Sequence, residues 1–332
     1  VLKRSATAGR RRRTIPYVLL APGLLWLLLF FVAPLAIMLV MSLREGTLAT
    51  GFELTWNFAI YPEAISEFSE QFIRSFWYAG VATVIALFIA YPLAYAIAFR
   101  AGKWKNALLF AVIAPFFTTY LIRTLAWTTI LDDASPTADV FRFLGIIPED
   151  GRILQTTGAV IMGITYNFLP FMILPIYASL ERIDKGLIEA AKDLYASSRQ
   201  AFLRVTLPLS TPGVVAGVLL MFIPSVGDFI NATFLGSPAQ FMIGNVIQNR
   251  YLNVTDYPTA AALSFILMAM ILAAVIVYIR FAGTESIMEA EGGGPERPDG
   301  GGPAGRPPEA PAAPRPAPAH ASAMSGRPGG AA

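Results

Sequence analysis

The chain has 332 residues, 55% of them hydrophobic and only 14% charged, with a mean hydropathy of +0.57 and a formal net charge of +3. A soluble domain of this length needs more charge to cover its surface, so the composition points to a membrane protein. There is no Cys and a single His, His320, in a Pro/Ala-rich stretch, which excludes disulfides, thiolate chemistry and Cys-ligated metal and argues against a His-based site.

Basic residues open the chain: Lys3, Arg4 and Arg10 to Arg13 lie within 1–16. A hydrophobic run from Tyr17 to Met41 follows. A cleaved signal peptide has an apolar core of only about 7–15 residues, so this longer run is predicted to be an uncleaved first spanning helix. Further apolar runs lie at 75–99, 106–131, 156–180, 213–235 and 258–281. Each is long enough to cross a bilayer as a helix. The fold predicted is all-α and polytopic, with six transmembrane helices over 17–283. Pro92, Pro115, Pro170, Pro175 and Pro224 fall inside or beside these runs and predict kinks, which bundles tolerate where neighbours re-satisfy the freed carbonyls. After Thr284 the composition shifts to Gly, Pro and Ala without apolar periodicity, which predicts a disordered tail over 284–332.

The loops alternate in charge. The segment Leu43 to Arg74 carries Glu45, Glu53, Glu63, Glu67 and Glu70, and the segment 132–155 carries Asp132, Asp133, Asp139, Glu149 and Asp150. Between them, Arg100 to Lys105 holds three cations and no acid, and the connection after the fourth run holds Arg182, Lys185, Lys192, Arg199 and Arg204. Basic flanks of spanning helices stay in the cytoplasm, which predicts cytoplasmic N- and C-termini and acidic loops facing out. The positive charge thus sets topology in a lipid bilayer and implies no nucleic acid.

The connection after the fourth run is a polar island. Asp184 is positioned to cap a helix over Lys185 to Leu194, whose Leu187, Ala190, Ala191 and Leu194 recur at spacings of three and four as one apolar stripe. Ser197 and Gln200 have capping-box spacing for a second helix, which carries Phe202 and Val205 and which Pro208 is predicted to end. A minimal loop needs only a few residues. This platform, over about 181–212, is large enough to dock a soluble partner.

The order Glu189-Ala190-Ala191, a turn, Phe202, then Leu207-Pro208-Leu209 resembles the EAA loop of type I ABC importer permeases. The resemblance extends from the first span to about Phe281. It implies that the loop seats in a cytoplasmic ATPase dimer, with Glu189, Ala190, Ala191, Tyr195, Phe202 and Pro208 in the coupling element. It also implies a second permease subunit, an extracytoplasmic substrate-binding protein and location in the bacterial inner membrane. The family usually has Gly at the turn where this chain has Tyr195. Either the turn takes another shape here or Tyr195 serves as an apolar contact with the ATPase. Ala114-Pro115-Phe116-Phe117, Ile122-Arg123-Thr124-Leu125-Ala126-Trp127 and Phe222-Ile223-Pro224-Ser225-Val226-Gly227-Asp228-Phe229 are similar to segments of polyamine (spermidine/putrescine) permeases. Permeases for sulfate or ferric iron share parts of these phrases and are the alternative; a secondary transporter is a more distant one, since no inverted repeat is evident.

Asp228 falls in the fifth run, where an unpaired carboxylate is costly. It either attracts an ammonium group or serves as a structural ion pair or helix cap. Arg123, toward the outer end of the third run, is placed to pair with Asp228, to line a pathway, or to snorkel to the interface. Trp127, Tyr166, Asn167, Phe229 and Asn231 complete the candidate pathway. Aromatic faces attract ammonium groups, and aromatics also anchor helices at interfaces. No phosphate-binding G-x-x-x-x-G-K-[ST] loop occurs. The chain is therefore expected to carry no catalytic residue, metal or cofactor, with ATP bound by the partner.

Overall fold

The computed structural model describes residues 19–145, Pro148 and 151–282. The basic opening, Glu149, Asp150, His320 and the tail predicted over 284–332 lie outside these residues. Helix α1 (Leu19–Ser42) has a mean hydropathy of 2.8 over its most apolar window. No residue of that window is fully buried among the described residues, as suits a helix whose surroundings are largely lipid. Ser42 Oγ and Tyr61 Oη, 2.8 Å apart, tie its end to α2 (Ile60–Glu67). Between them a hairpin pairs β1 (Arg44–Thr47) with β2 (Gly51–Leu54), Glu45 facing Glu53. A Cβ at Gly46 would lie 1.9 Å from the Gly51 carbonyl oxygen, so the tight hairpin admits only glycine there.

The centre of the bundle is three helices: α3 (Ser69–Phe99), α7 (Thr157–Glu181) and α9 (Ser198–Val226). Ala79, Ala82, Ala86, Ala90 and Ala94 follow helical spacing along α3 and are wholly buried. Without long side chains on this stripe, α3 and α7 approach closely, the usual device where lipid removes the hydrophobic drive between helices. Ile164, Met172, Ile176 and Leu180 of α7 and Met221 of α9 fill the space around it. Gly213 sits where α9 crosses α7: a Cβ there would lie 2.5 Å from Ser179 Cβ and 2.6 Å from the Pro175 carbonyl oxygen. Gly213→Val is expected to destabilise the bundle by about 3 kcal/mol through overpacking. A melting curve of the detergent-solubilised complex unchanged from wild type would refute that reading.

The second core packs α12 (Tyr257–Ala282) through Leu263, Ile266 and Leu267 against Phe68, Phe72, Val226 and Ile243. On the same side, the Arg250 guanidinium lies over the Phe68 ring and bonds Glu67 at 2.8 Å and Asp256 at 3.4 Å. Arg250 belongs to α11 (Ile243–Leu252), a helix inside the connection between the fifth and sixth spans. A further connecting helix, α6 (Pro136–Phe143), is capped by Ser135.

Three expectations are corrected. The third span is not one helix: α4 (Lys105–Ile113) continues as a 3-10 turn over Ala114–Phe117, and α5 (Tyr120–Ile130) leaves it at 94°. Pro115 removes a helical donor, and Thr118 and Thr119 are extended. The fifth span does not run unbroken to 235. It stops at Val226, passes through Gly227, Asp228 and Phe229, and resumes as the short α10 (Ile230–Leu235). Counting the bent pair as one span, six helices among the described residues are long and apolar enough to cross a membrane.

The third correction concerns Pro208, which does not end the second island helix. Ser198–Val226 is one 29-residue helix, so the island runs directly into the fifth span. A π turn over Phe202–Thr206 precedes Pro208, just as one over Leu28–Val32 precedes Pro34 in α1. In both, the carbonyl that the proline ring would strike, four residues earlier, lies at the centre of the wider turn. The extra width lets the helix pass through proline.

Candidate coupling loop and transport site

The island folds from local signals. Asp184 Oδ1 accepts from the Gly186 amide at 2.9 Å, starting α8 (Lys185–Asp193). The helix stops in a Schellman turn, with the Tyr195 amide donating to the Lys192 carbonyl at 2.9 Å and the Ala196 amide to the Ala191 carbonyl at 3.0 Å. Tyr195 itself holds the left-handed position, at φ 63°. The turn thus keeps the shape that glycine favours, at a cost of roughly 1 kcal/mol for the Cβ. The Ser197–Gln200 capping box then begins α9.

Most of the apolar stripe of α8 finds no cover among the described residues, and only Ala191 is half-buried. Leu187 is 50%, Leu194 83% and Tyr195 98% exposed, and Glu189 and Ala190 are exposed beside them. Ile188 packs against the bundle. Phe202 turns the same way, edge-on to Tyr91 and Tyr95 of α3 at 5.8 Å each. Pro208 is exposed on α9. Glu189, Ala190 and Tyr195 therefore form the free face of the loop, while Phe202 fastens it to the second span.

The breaks of spans three and five meet. Tyr120, first residue of α5, donates its hydroxyl to Asp228 Oδ1 at 2.6 Å, and Asp228 Oδ2 accepts from the Asn231 amide at 3.1 Å. Asn231 Nδ2 donates back to Tyr120 Oη at 2.6 Å, and Asn167 Nδ2 donates to Asn231 Oδ1 and to Thr124 Oγ1. Asp228 is 6% exposed. Its carboxyl group thus caps the short α10 and holds α5 to it. Asn245 of α11 ties down the same break, donating to the Phe229 carbonyl at 2.9 Å and to Thr233 Oγ1 at 2.8 Å.

Arg123 does not pair with Asp228. Its guanidinium lies 5.5 Å from the Phe116 ring centre and 5.8 Å from that of Tyr120, and its Nε and Nη1 have no partner among the described residues. Trp127 meets Tyr166 edge-on at 5.2 Å, and both are half-buried, as is Phe229. Tyr120, Thr124 and Asn245 were not singled out from the sequence. The Thr118-Thr119 pair after Pro115 was the available sign that a polar helix start follows. Among the described residues no group of three or more His, Asp or Glu forms that would hold a metal ion.

A family described as the binding-protein-dependent transport system inner membrane component matches residues 90–282, which include the island and both breaks. The chain belongs to this family. As a member it is a multi-pass permease subunit of an ABC importer, a transport component and not an enzyme. It is 35% identical over 256 residues to the spermidine/putrescine transport system permease protein PotB of Escherichia coli, covering 77% of this chain and 93% of that one. The protein of the same name from Haemophilus influenzae is 36% identical over 265 residues, covering 77% and 90%. A crystal structure of a bacterial ABC transporter involved in the import of the acidic polysaccharide alginate aligns with a TM-score of 0.63 at 18% identity, over 82% of this chain and 96% of that one. That likeness is one of fold.

Proposed function

We propose that this permease carries polyamines, spermidine or putrescine, into the cell. The observation that carries the reading is the 35–36% identity to spermidine/putrescine permeases across 77% of the chain. Trp127, Tyr166 and Phe229 supply aromatic faces suited to ammonium groups, with Arg123 beside them and Asp228 and Asn167 bracing the bends that position them. The free face of the island, Glu189, Ala190 and Tyr195, with the half-buried Ala191 beside it, seats on a cytoplasmic ATPase dimer, which binds the ATP. Phe202 fastens that face to the bundle, and Pro208 belongs to the helix that continues from it into the fifth span. A second permease completes the pathway, and a substrate-binding protein delivers solute at the outer face. The basic 100–105 loop and the island face the cytoplasm, as do both termini.

The test is uptake by the reconstituted set of subunits. Labelled spermidine or putrescine should accumulate only with ATP, and unlabelled polyamine, not sulfate or ferric iron, should compete. Competition by sulfate or iron instead would overturn the polyamine reading.

A further inference from the structure

Helix α4 is loosely held. It buries none of its own residues. An open apolar cleft of about 270 Å³ lies between it and α3 and α7, lined by Leu93, Ile97, Leu108, Val112, Leu169 and Ile173. Side chains lining a cleft make fewer of the contacts that would lock them in place. Its cytoplasmic end, however, is fastened: Lys105, the first residue, pairs through Nζ with Glu181 Oε1 and lies 5.6 Å from the centre of the Tyr177 ring. Tyr177 and Glu181 are one turn apart on α7, so the lysine grips a single face of that helix.

Glu181 is the last residue of α7. Three residues later Asp184 caps α8, the exposed helix of the island. Displacement of the island's first helix is therefore felt at Glu181. At its other end α4 enters the 94° bend, beyond which Tyr120 bonds Asp228 and Asn231 at the break of the fifth span. The island thus reaches that break by two routes. One is α9 itself, continuous from Ser198 to Val226. The other runs from Glu181 to Lys105, along α4 and around the bend to Tyr120.

We propose that the Lys105–Glu181 pair is a coupling strut, which carries movement of the island into the broken third span so that both breaks move together. Lys105 and Glu181 are positioning residues and touch no solute. The proposal rests on the reading that the island receives the ATPase.

The experiment measures ATP hydrolysed per spermidine imported by the complete transporter in proteoliposomes. Lys105→Glu and Glu181→Lys should each raise that ratio about fivefold or more, the lower bound of an ordinary coupling between sites. The double exchange Lys105→Glu/Glu181→Lys should bring it back to within twofold of wild type. Lys105→Met, which keeps the length without charge, should give an intermediate ratio. If uptake and hydrolysis fall together with the ratio unchanged, the pair is merely structural and the strut is refuted. Failure of the double exchange to restore the ratio refutes it as well. Glu189→Lys run in parallel separates the two readings: if it leaves uptake normal, docking at the island has failed, and if it abolishes uptake while the Lys105 variants stay coupled, only the strut has.

Discussion

Glu189→Lys is expected to abolish ATP-driven uptake, lowering it by about a hundredfold or more, while the chain still inserts and folds. The size follows from reversing a charge inside a protein–protein contact, where leaving one partner unmatched costs about 2–5 kcal/mol. Such a change removes no contact within the described residues, since Glu189 is exposed and its side chain makes no hydrogen bond or ion pair among them. Elsewhere on the island Leu187, Leu194 and Tyr195 present apolar surface to solvent, while Ile188 packs against the bundle. Exposed apolar residues grouped this way mark a contact surface. Co-purification of the ATPase with the Glu189→Lys permease measures the effect directly. Full recovery of the ATPase together with normal uptake would remove the island from the coupling mechanism.

The second large effect is expected at Asp228. Asp228→Leu should lower the melting temperature of the complex by about 10 °C, and uptake should fall with it. The substitution leaves the Tyr120 hydroxyl and the Asn231 amide without their acceptors. A buried donor left unpaired costs about 1–3 kcal/mol, and each kcal/mol is about 2–4 °C for a chain of this size. Asp228→Asn retains one acceptor oxygen and should fall between Leu and wild type. The same pair of variants separates a brace from a solute ligand. A brace predicts that uptake follows stability, with the apparent KM for spermidine within twofold in Asp228→Asn. A tenfold rise in that KM at wild-type stability would make the carboxyl group a ligand of the ammonium.

Most of the island was legible because its signals are local. Asp184, Ser197 and Gln200 act on amides two or three residues away, so their roles can be read from spacing. The turn at Tyr195 was half legible. Its position was clear from the end of the α8 periodicity, but a residue with a Cβ gave no sign that it would take the left-handed angle. The rest of the loop keeps it there through the two amide bonds of the Schellman turn.

The membrane class, the approximate places of six spans and the polar platform between the fourth and fifth follow from the sequence by itself. Hydrocarbon demands long apolar helices, and caps and charges act at short range. Tertiary structure alone decided where helices three and five break, that the island's second helix passes through Pro208, and which polar groups meet. Tyr120, Asn167, Asp228 and Asn231 come from three different spans. Each would be unfavourable in hydrocarbon by itself, and only the packing of bent helices gives each of them a partner.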